Sequence, residues 1–207
     1  PPPPPPPLFF FQADDGIRDP LWSRGLGDVY KRQGNSNMVI WLLGISGAGK
    51  STLGKRLKKH FDAKGIHSFI LDGDVVRTFF DNDLSYSVAD RRQNIKRILL
   101  AAYVLEQNGV IPIVCNISPF EDLRQFARDT FHNYVQIYLE KSMPIAQQND
   151  VKNIYKNHIS KTPIVGINLE FDEPLLSELV IPVDTETVDE SFARIILLLN
   201  EKNQNEG

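Results

Sequence analysis

"GISGAGKS", residues 44–51, fits the pattern G-x-x-x-x-G-K-[ST] in full, and it follows directly on the apolar run "MVIWLLG" at 38–44. Glycines at those positions let successive backbone N–H groups curl round an anion, and a helix opening at Gly49 adds its positive N-terminal end. The pattern also has the setting its chemistry needs, a buried strand before it and helical spacing after it. On this reading Gly44, Ser46, Gly47, Ala48, Gly49, Lys50, Ser51 and Thr52 cradle the phosphates of a nucleotide. Lys50 would reach the β- and γ-phosphates, and Ser51 would hold Mg²⁺.

Outward from this loop, apolar runs alternate with helical patterns. Strands are expected at 38–44, 68–73 ("SFILDG"), 110–118 ("VIPIVCNIS"), 134–140 ("YVQIYLE") and 179–184 ("LVIPVD"). They are continuous rather than alternating, as strands covered on both faces are. Helices are expected at 49–63, 88–108, 119–132, roughly 144–158 and 189–202. In the second of these Ile95, Ile98, Leu99, Ala102 and Leu105 form one apolar stripe. Ser87 with Asp90, Ser118 with Glu121, and Thr187 with Glu190 match the capping-box spacing, and Pro119 suits a first helical position. This order predicts an α/β chain of the P-loop NTPase type: three layers, with a five-stranded, mainly parallel sheet and helices on both faces. Ligands of such sheets sit at the carboxyl ends of the strands.

The first 37 residues read differently from the rest. "PPPPPPPLFFFQADDGIRDP" has no periodicity, lacks the basic start of a secretory signal, and its apolar stretch "LFFF" is too short for one. "FFFQADDGIRD" and "DVYKRQ" resemble translated sequencing-adapter read-through. The expectation is a non-native or disordered extension over 1–37 and a single P-loop domain over 38–207, starting at Met38. The net charge of −3 gives no broad basic face for a nucleic acid polymer, and no apolar run approaches a membrane span. Cys115 is the lone cysteine and lies in an apolar run, which suits an inert core thiol and a reducing, cytoplasmic setting.

A phosphate cradle does not say what the nucleotide is for. The N-K-x-D element of switch GTPases is absent, and the strand at 110–118 ends in "VCNISP" without the acid that motor ATPases place there. The acids instead close the strand at 68–73, in "LDGDVVR" (71–77). Paired carboxylates at that end, with an arginine following, suit an acceptor hydroxyl that must lose a proton near a metal. The plainer reading needs only Asp72 or Asp74 as a helix cap. The favoured class is a small-molecule kinase.

In ordered blocks the chain resembles the adenylylsulfate kinase family: "GISGAGKST", "LDGDVVR", "DRRQNIKRI", "ISPFEDLRQFAR", "NDVKNIY", then "VGI" and "EP", over residues 38 to about 201. The resemblance implies ATP-dependent phosphorylation of the 3′-hydroxyl of adenosine 5′-phosphosulfate (APS), with ATP and Mg²⁺ required. It implies Asp74 as the base, Asp72 beside metal and water, and Lys50 and the lid residue Lys152 on the phosphates. Arg77, Arg91, Asn94, Ile117 and Ser118 match positions around the acceptor, as do Tyr86 and Ile164. For Ser118 the capping-box spacing favours a helix cap over a phosphoenzyme role. Members of the family are often dimers, so the resemblance extends to a homodimer.

The departures cluster on the acceptor side. Val75 replaces an asparagine, Asn149 an arginine and Asn153 a glycine. Ile164 replaces one aromatic of the pair that clamps the APS adenine, while Tyr86 keeps the other. Loss of one stacking ring is worth roughly 1–3 kcal/mol. An alternative acceptor is therefore another modified nucleotide such as cytidine diphosphoramidate, used in capsule synthesis. A non-catalytic nucleotide-binding regulator is the reading of a different class. It would predict loss of Lys50, Asp74 or Lys152, and all three are present.

Overall fold

Met38–Leu43 offers no polar side chain to water, and in the computed structural model it forms β1, buried along its whole length. The structure describes residues 38–142, 144, 165–166 and 169–205. Along these, β1 is followed by α1 (Lys50–Ala63), β2 (Ser68–Asp72), α2 (Gly73–Phe79), α3 (Val88–Gln107), β3 (Ile111–Cys115), α4 (Glu121–Thr130), β4 (Asn133–Glu140), β5 (Leu179–Pro182) and α5 (Val188–Asn205). The strands form one sheet in the order β2-β3-β1-β4-β5, and every pairing is parallel.

Side chains of β1 alternate between two cores. Ile40 and Leu42 pack with Leu53, Leu57 and Phe61 of α1 and with Ile195 and Leu199 of α5. Val39, Trp41 and Leu43 pack with Ile95, Ile98, Leu99 and Ala102 of α3 and Leu123 and Ala127 of α4. Each fully buried aliphatic side chain contributes roughly 1.5–3 kcal/mol, so the central strand organises both helical layers at once. The expected three-layer P-loop architecture is the one observed.

Three expectations need correction. Burial on both faces holds for β1 and β3 and nearly throughout β4, but β2 and β5 are edge strands, and Phe69 of β2 is 52% exposed. The strand expected at 110–118 stops at Cys115, because the chain turns off through Ser118, a non-glycine residue at φ +48°. The helix expected from Pro119 starts at Glu121, and Ser118 does not cap it. The Glu121 N–H instead donates to Asp172 Oδ2 at 3.0 Å, a cap supplied from far along the chain. The short helix α2 was missed, and the helix expected at roughly 144–158 lies almost wholly outside the described residues.

The other two caps form. Ser87 Oγ accepts from the Asp90 N–H, although the Asp90 carboxylate turns to Ser85 instead of closing the box. Thr187 and Glu190 complete theirs: the Thr187 N–H donates to Glu190 at 2.8 Å and the Glu190 N–H to Thr187 Oγ1 at 3.2 Å.

Gly54 lies inside α1, where an alanine would normally be the better helix former. A Cβ there would meet Cys115 Sγ at 2.5 Å, so the glycine lets α1 settle closely on β3. Gly54→Ala should therefore lower stability by about 1 kcal/mol or more, overpacking outweighing the gain in helix propensity. In a Cys115→Ala background the same change should be neutral or stabilising, as a double-mutant cycle in urea would read.

Candidate active site

The cradle closes because its backbone comes against β4. Gly44 has φ +146°, and a Cβ on it would lie 2.5 Å from the Leu139 carbonyl oxygen, a backbone atom that cannot swing aside. Gly49, the residue ahead of α1, has φ +91°, which turns the loop into the helix. Ser46, Gly47, Ala48, Ser51 and Thr52 line the same turn and the first turn of α1, as the spacing predicts. The Lys50 ammonium lies across the loop and donates to the Gly44 and Ile45 carbonyls, both at 2.8 Å. A second lysine, Lys141, reaches the loop from just past β4 and donates to the Gly47 carbonyl at 3.0 Å.

The strand β2 delivers Asp72 to this loop. Ser51 Oγ donates to Asp72 Oδ2 at 2.7 Å, and Asp72 Oδ1 accepts from the Asp74 N–H at 3.0 Å. Asp72 is thus the N-cap of α2 and the neighbour of Ser51 together. Asp74 sits exposed in the first turn of α2. The Ser51 hydroxyl and the Asp72 carboxylate are hard oxygen donors of the kind Mg²⁺ takes, in the small number it takes from protein. Among the described residues no group of three or more His, Cys, Asp or Glu could hold a metal. Burial, reinforced by the Asp72 carboxylate and opposed by Lys50, pushes the Cys115 thiol up to about 12, as an inert core thiol requires.

Two arginines converge on one ring beside Asp74. Arg77 is buried and donates to the Leu84 and Ser85 carbonyls at 3.2 and 2.8 Å. Its guanidinium carbon lies 4.6 Å from the centre of the Tyr86 ring, and that of Arg91 lies 5.1 Å from it. Arg91 also donates to the Tyr86 carbonyl at 2.9 Å. Burial, and then the like charge of Arg77, hold the Arg91 guanidinium below the usual arginine value, while Tyr86 and Asp74 act the other way. Two cations gathered in one place, with an aromatic face as partial compensation, make a site that favours an anion.

Asn94 is buried and does not present its amide to solvent. Its Nδ2 donates to the Gly73 carbonyl at 3.2 Å, while its Oδ1 is buried with no hydrogen-bond partner among the described residues. From the other side a Cβ on Gly73 would meet Asn116 Oδ1 at 2.6 Å. Asn94 and Asn116 therefore hold the start of α2, and with it Asp74, between them. Ser118 is 2% exposed, and its Oγ accepts from Trp41 Nε1 at 2.8 Å and from Asn116 Nδ2 at 3.3 Å. Ile117 beside it is partly exposed. Lys152 and Ile164, together with Asn149 and Asn153, lie outside the described residues.

Sequence reasoning missed Asn116, Lys141 and Arg124. Asn116 follows β3 in the quoted "VCNIS", one residue past the partner of Asp72 in the sheet register. Arg124 lies inside "ISPFEDLRQFAR" and ties that loop down, donating to the Ser118 and Asp172 carbonyls, both at 2.6 Å. Its signal was an arginine on the buried stripe of a short helix. For Lys141 nothing in the local pattern marked the side chain.

The sequence model of the family described as adenylylsulphate kinase matches residues 36–182. An adenylyl-sulfate kinase of Geotalea uraniireducens is 34% identical over 201 residues, covering 94% of this chain and 97% of the relative. One of Rippkaea orientalis is 37% identical over 173 residues, covering 83% and 94%. Among solved structures, an APS kinase of Mycobacterium tuberculosis in complex with AMPPNP and APS superposes with a TM-score of 0.72 at 28% identity. It covers 79% of this chain and 97% of that one.

Burial of Ser118 under Trp41 yields an expectation. Ser118→Ala should lower stability by about 1–3 kcal/mol, through a buried indole N–H left without its acceptor, and should leave Mg-ATP affinity within about twofold. Urea unfolding and nucleotide titration measure the two. Loss of affinity at full stability would return Ser118 to the site itself.

Proposed function

Because this chain belongs to the adenylylsulfate kinase family, we propose that it transfers the γ-phosphoryl group of ATP to the 3′-hydroxyl of APS, giving 3′-phospho-APS and ADP. The observation that carries the reading is the hydrogen bond from Ser51 to Asp72, which joins the phosphate cradle to the strand end bearing the acceptor acids. Transfer of a phosphoryl group is mostly positioning and neutralisation of negative charge spread over its oxygens. The chain supplies both from opposite sides of the cradle.

On the donor side the loop N–H groups and Lys50 take the phosphates. Lys50 exchanges its bonds to the Gly44 and Ile45 carbonyls for phosphate oxygens when the nucleotide enters. Mg²⁺ would be held by Ser51 with Asp72 alongside, and when bound it neutralises charge on the β- and γ-phosphates. On the acceptor side Arg77 and Arg91 meet the phosphosulfate, whose anion offsets their mutual repulsion. Asp74, exposed on the first turn of α2, takes the proton of the attacking hydroxyl. Asp72, Asn94 and Asn116 hold that turn in place. Lys152 is assigned to the phosphates on sequence alone.

The departures at Val75 and Ile164 bear on which acceptor is taken, and Val75 is 65% exposed next to Asp74. The full chain with Mg-ATP should release ADP with APS in clear preference to cytidine diphosphoramidate or no acceptor. Asp74→Asn should lower kcat by about 10²–10⁴-fold, the contribution of a positioned base, with ATP affinity retained. Preference for the cytidine compound would transfer the assignment to that acceptor. ADP release indifferent to any acceptor would overturn the kinase reading.

A further inference from the structure

The donor half of the site holds a cation that neither the glycine-rich pattern nor the acceptor chemistry uses. Lys141 follows the last residue of β4, and its Nζ lies 3.0 Å from the Gly47 carbonyl oxygen. Gly47 has φ +78°, and the same ammonium lies 3.8 Å from where a Cβ on it would stand. The lysine therefore holds the carbonyl of an exposed loop residue whose neighbouring N–H groups are of the kind that face a phosphate.

The root of this side chain is fixed. β4 pairs with β1 up to Tyr138 opposite Leu43, and Gly44 closes on the Leu139 carbonyl. Beyond Lys141 the Ser142 N–H donates to Asp184 Oδ2 at 2.7 Å, which ties the following backbone to the segment after β5. Lys141 thus reaches the loop from a backbone held at both ends, and less conformational freedom is lost when it binds.

Sheet order says which substrate Lys141 faces. The acids lie at the end of β2, on one side of β1, and Lys141 lies at the end of β4, on the other. In-line transfer places the attacking oxygen and the leaving oxygen on opposite sides of the phosphorus. An acceptor arriving from the β2 side sends the rest of the donor nucleotide away over β4. Lys50 gives up its carbonyls to meet the phosphates, whereas Lys141 can keep Gly47 throughout.

We propose that Lys141 is a positioning residue for the donor nucleotide. It holds the Gly47 carbonyl outward so that the loop N–H groups face the phosphates, and it adds positive charge on the donor side. This rests on the reading that the loop binds Mg-ATP.

The test compares the full chain with Lys141→Ala, Lys141→Met and Lys141→Arg, by calorimetric titration of Mg-ATP at two salt concentrations and by steady-state kinetics. Lys141→Ala and Lys141→Met should each weaken Mg-ATP about fivefold, more at the lower salt, as an exposed charge-assisted contact would. The loss should fall on KM for ATP rather than on KM for the acceptor, and Lys141→Arg should restore affinity to within about twofold of the native chain. Native affinity in the methionine variant would overturn the proposal, and so would a parallel rise in both KM values or failure of arginine to rescue. If the native chain itself binds no Mg-ATP, the functional reading fails instead, and this one with it.

Discussion

Both oxygens of the Asp72 carboxylate are committed, one to the Ser51 hydroxyl and one to the Asp74 N–H. The rest of the site depends on that division. Through the first oxygen, the start of α1 and the end of β2 become one surface. Through the second, α2 begins where it does and presents Asp74 on its opening turn. A single acid acts both as the cap of α2 and as the partner of the Ser51 hydroxyl. The nearer of the two acids that flank Gly73 builds the platform, and the farther one, Asp74, lies exposed on the first turn of α2.

Beside Asp74 the chain sets two like charges close together. Arg77 and Arg91 share the Tyr86 ring, whose face can offset roughly 0.5–2 kcal/mol of their crowding. On the proposed reading an acceptor anion would do this better and would leave the ring to a second partner. Tyr86 would then serve both charge recognition and base recognition. With Ile164 at the position where the resemblance expects a second ring, stacking on the acceptor base would fall mainly to Tyr86.

The fold was legible because Met38–Leu43 and "GISGAGKS" together admit few arrangements: a buried strand, a loop of glycines and a helix. Asp72 and Asp74, followed by Arg77, stood out as charge closing an apolar run, whereas Arg91 was marked only by the family resemblance; the structure sets Arg77 and Arg91 on one ring. Ser118 was misread because its spacing to Glu121 fits a capping box, whereas tertiary contacts dominate. Trp41 takes the hydroxyl and Asp172 supplies the cap from about fifty residues away, a distance no local pattern spans. Helix α2 was too short to show periodicity, and Asn116 and Lys141 act through single contacts set by the sheet order.

Asp72 reaches the cradle across an intervening strand, and packing makes that reach short. β3 lies between β1 and β2, so α1, which carries Ser51, must settle low on β3 for its hydroxyl to meet Asp72. Gly54, three residues further along α1, allows this: its missing Cβ leaves room for Cys115 Sγ, which also lies 3.4 Å from the Lys50 carbonyl. Cys115 is the register partner of Asp72, so the thiol under the helix and the acid beside it are adjacent across the two strands. A bulkier side chain at either Gly54 or Cys115 would lift the first turns of α1 and draw Ser51 from Asp72. The spacing between the cradle and Asp72 is therefore set in the hydrophobic layer, by a glycine and a buried thiol.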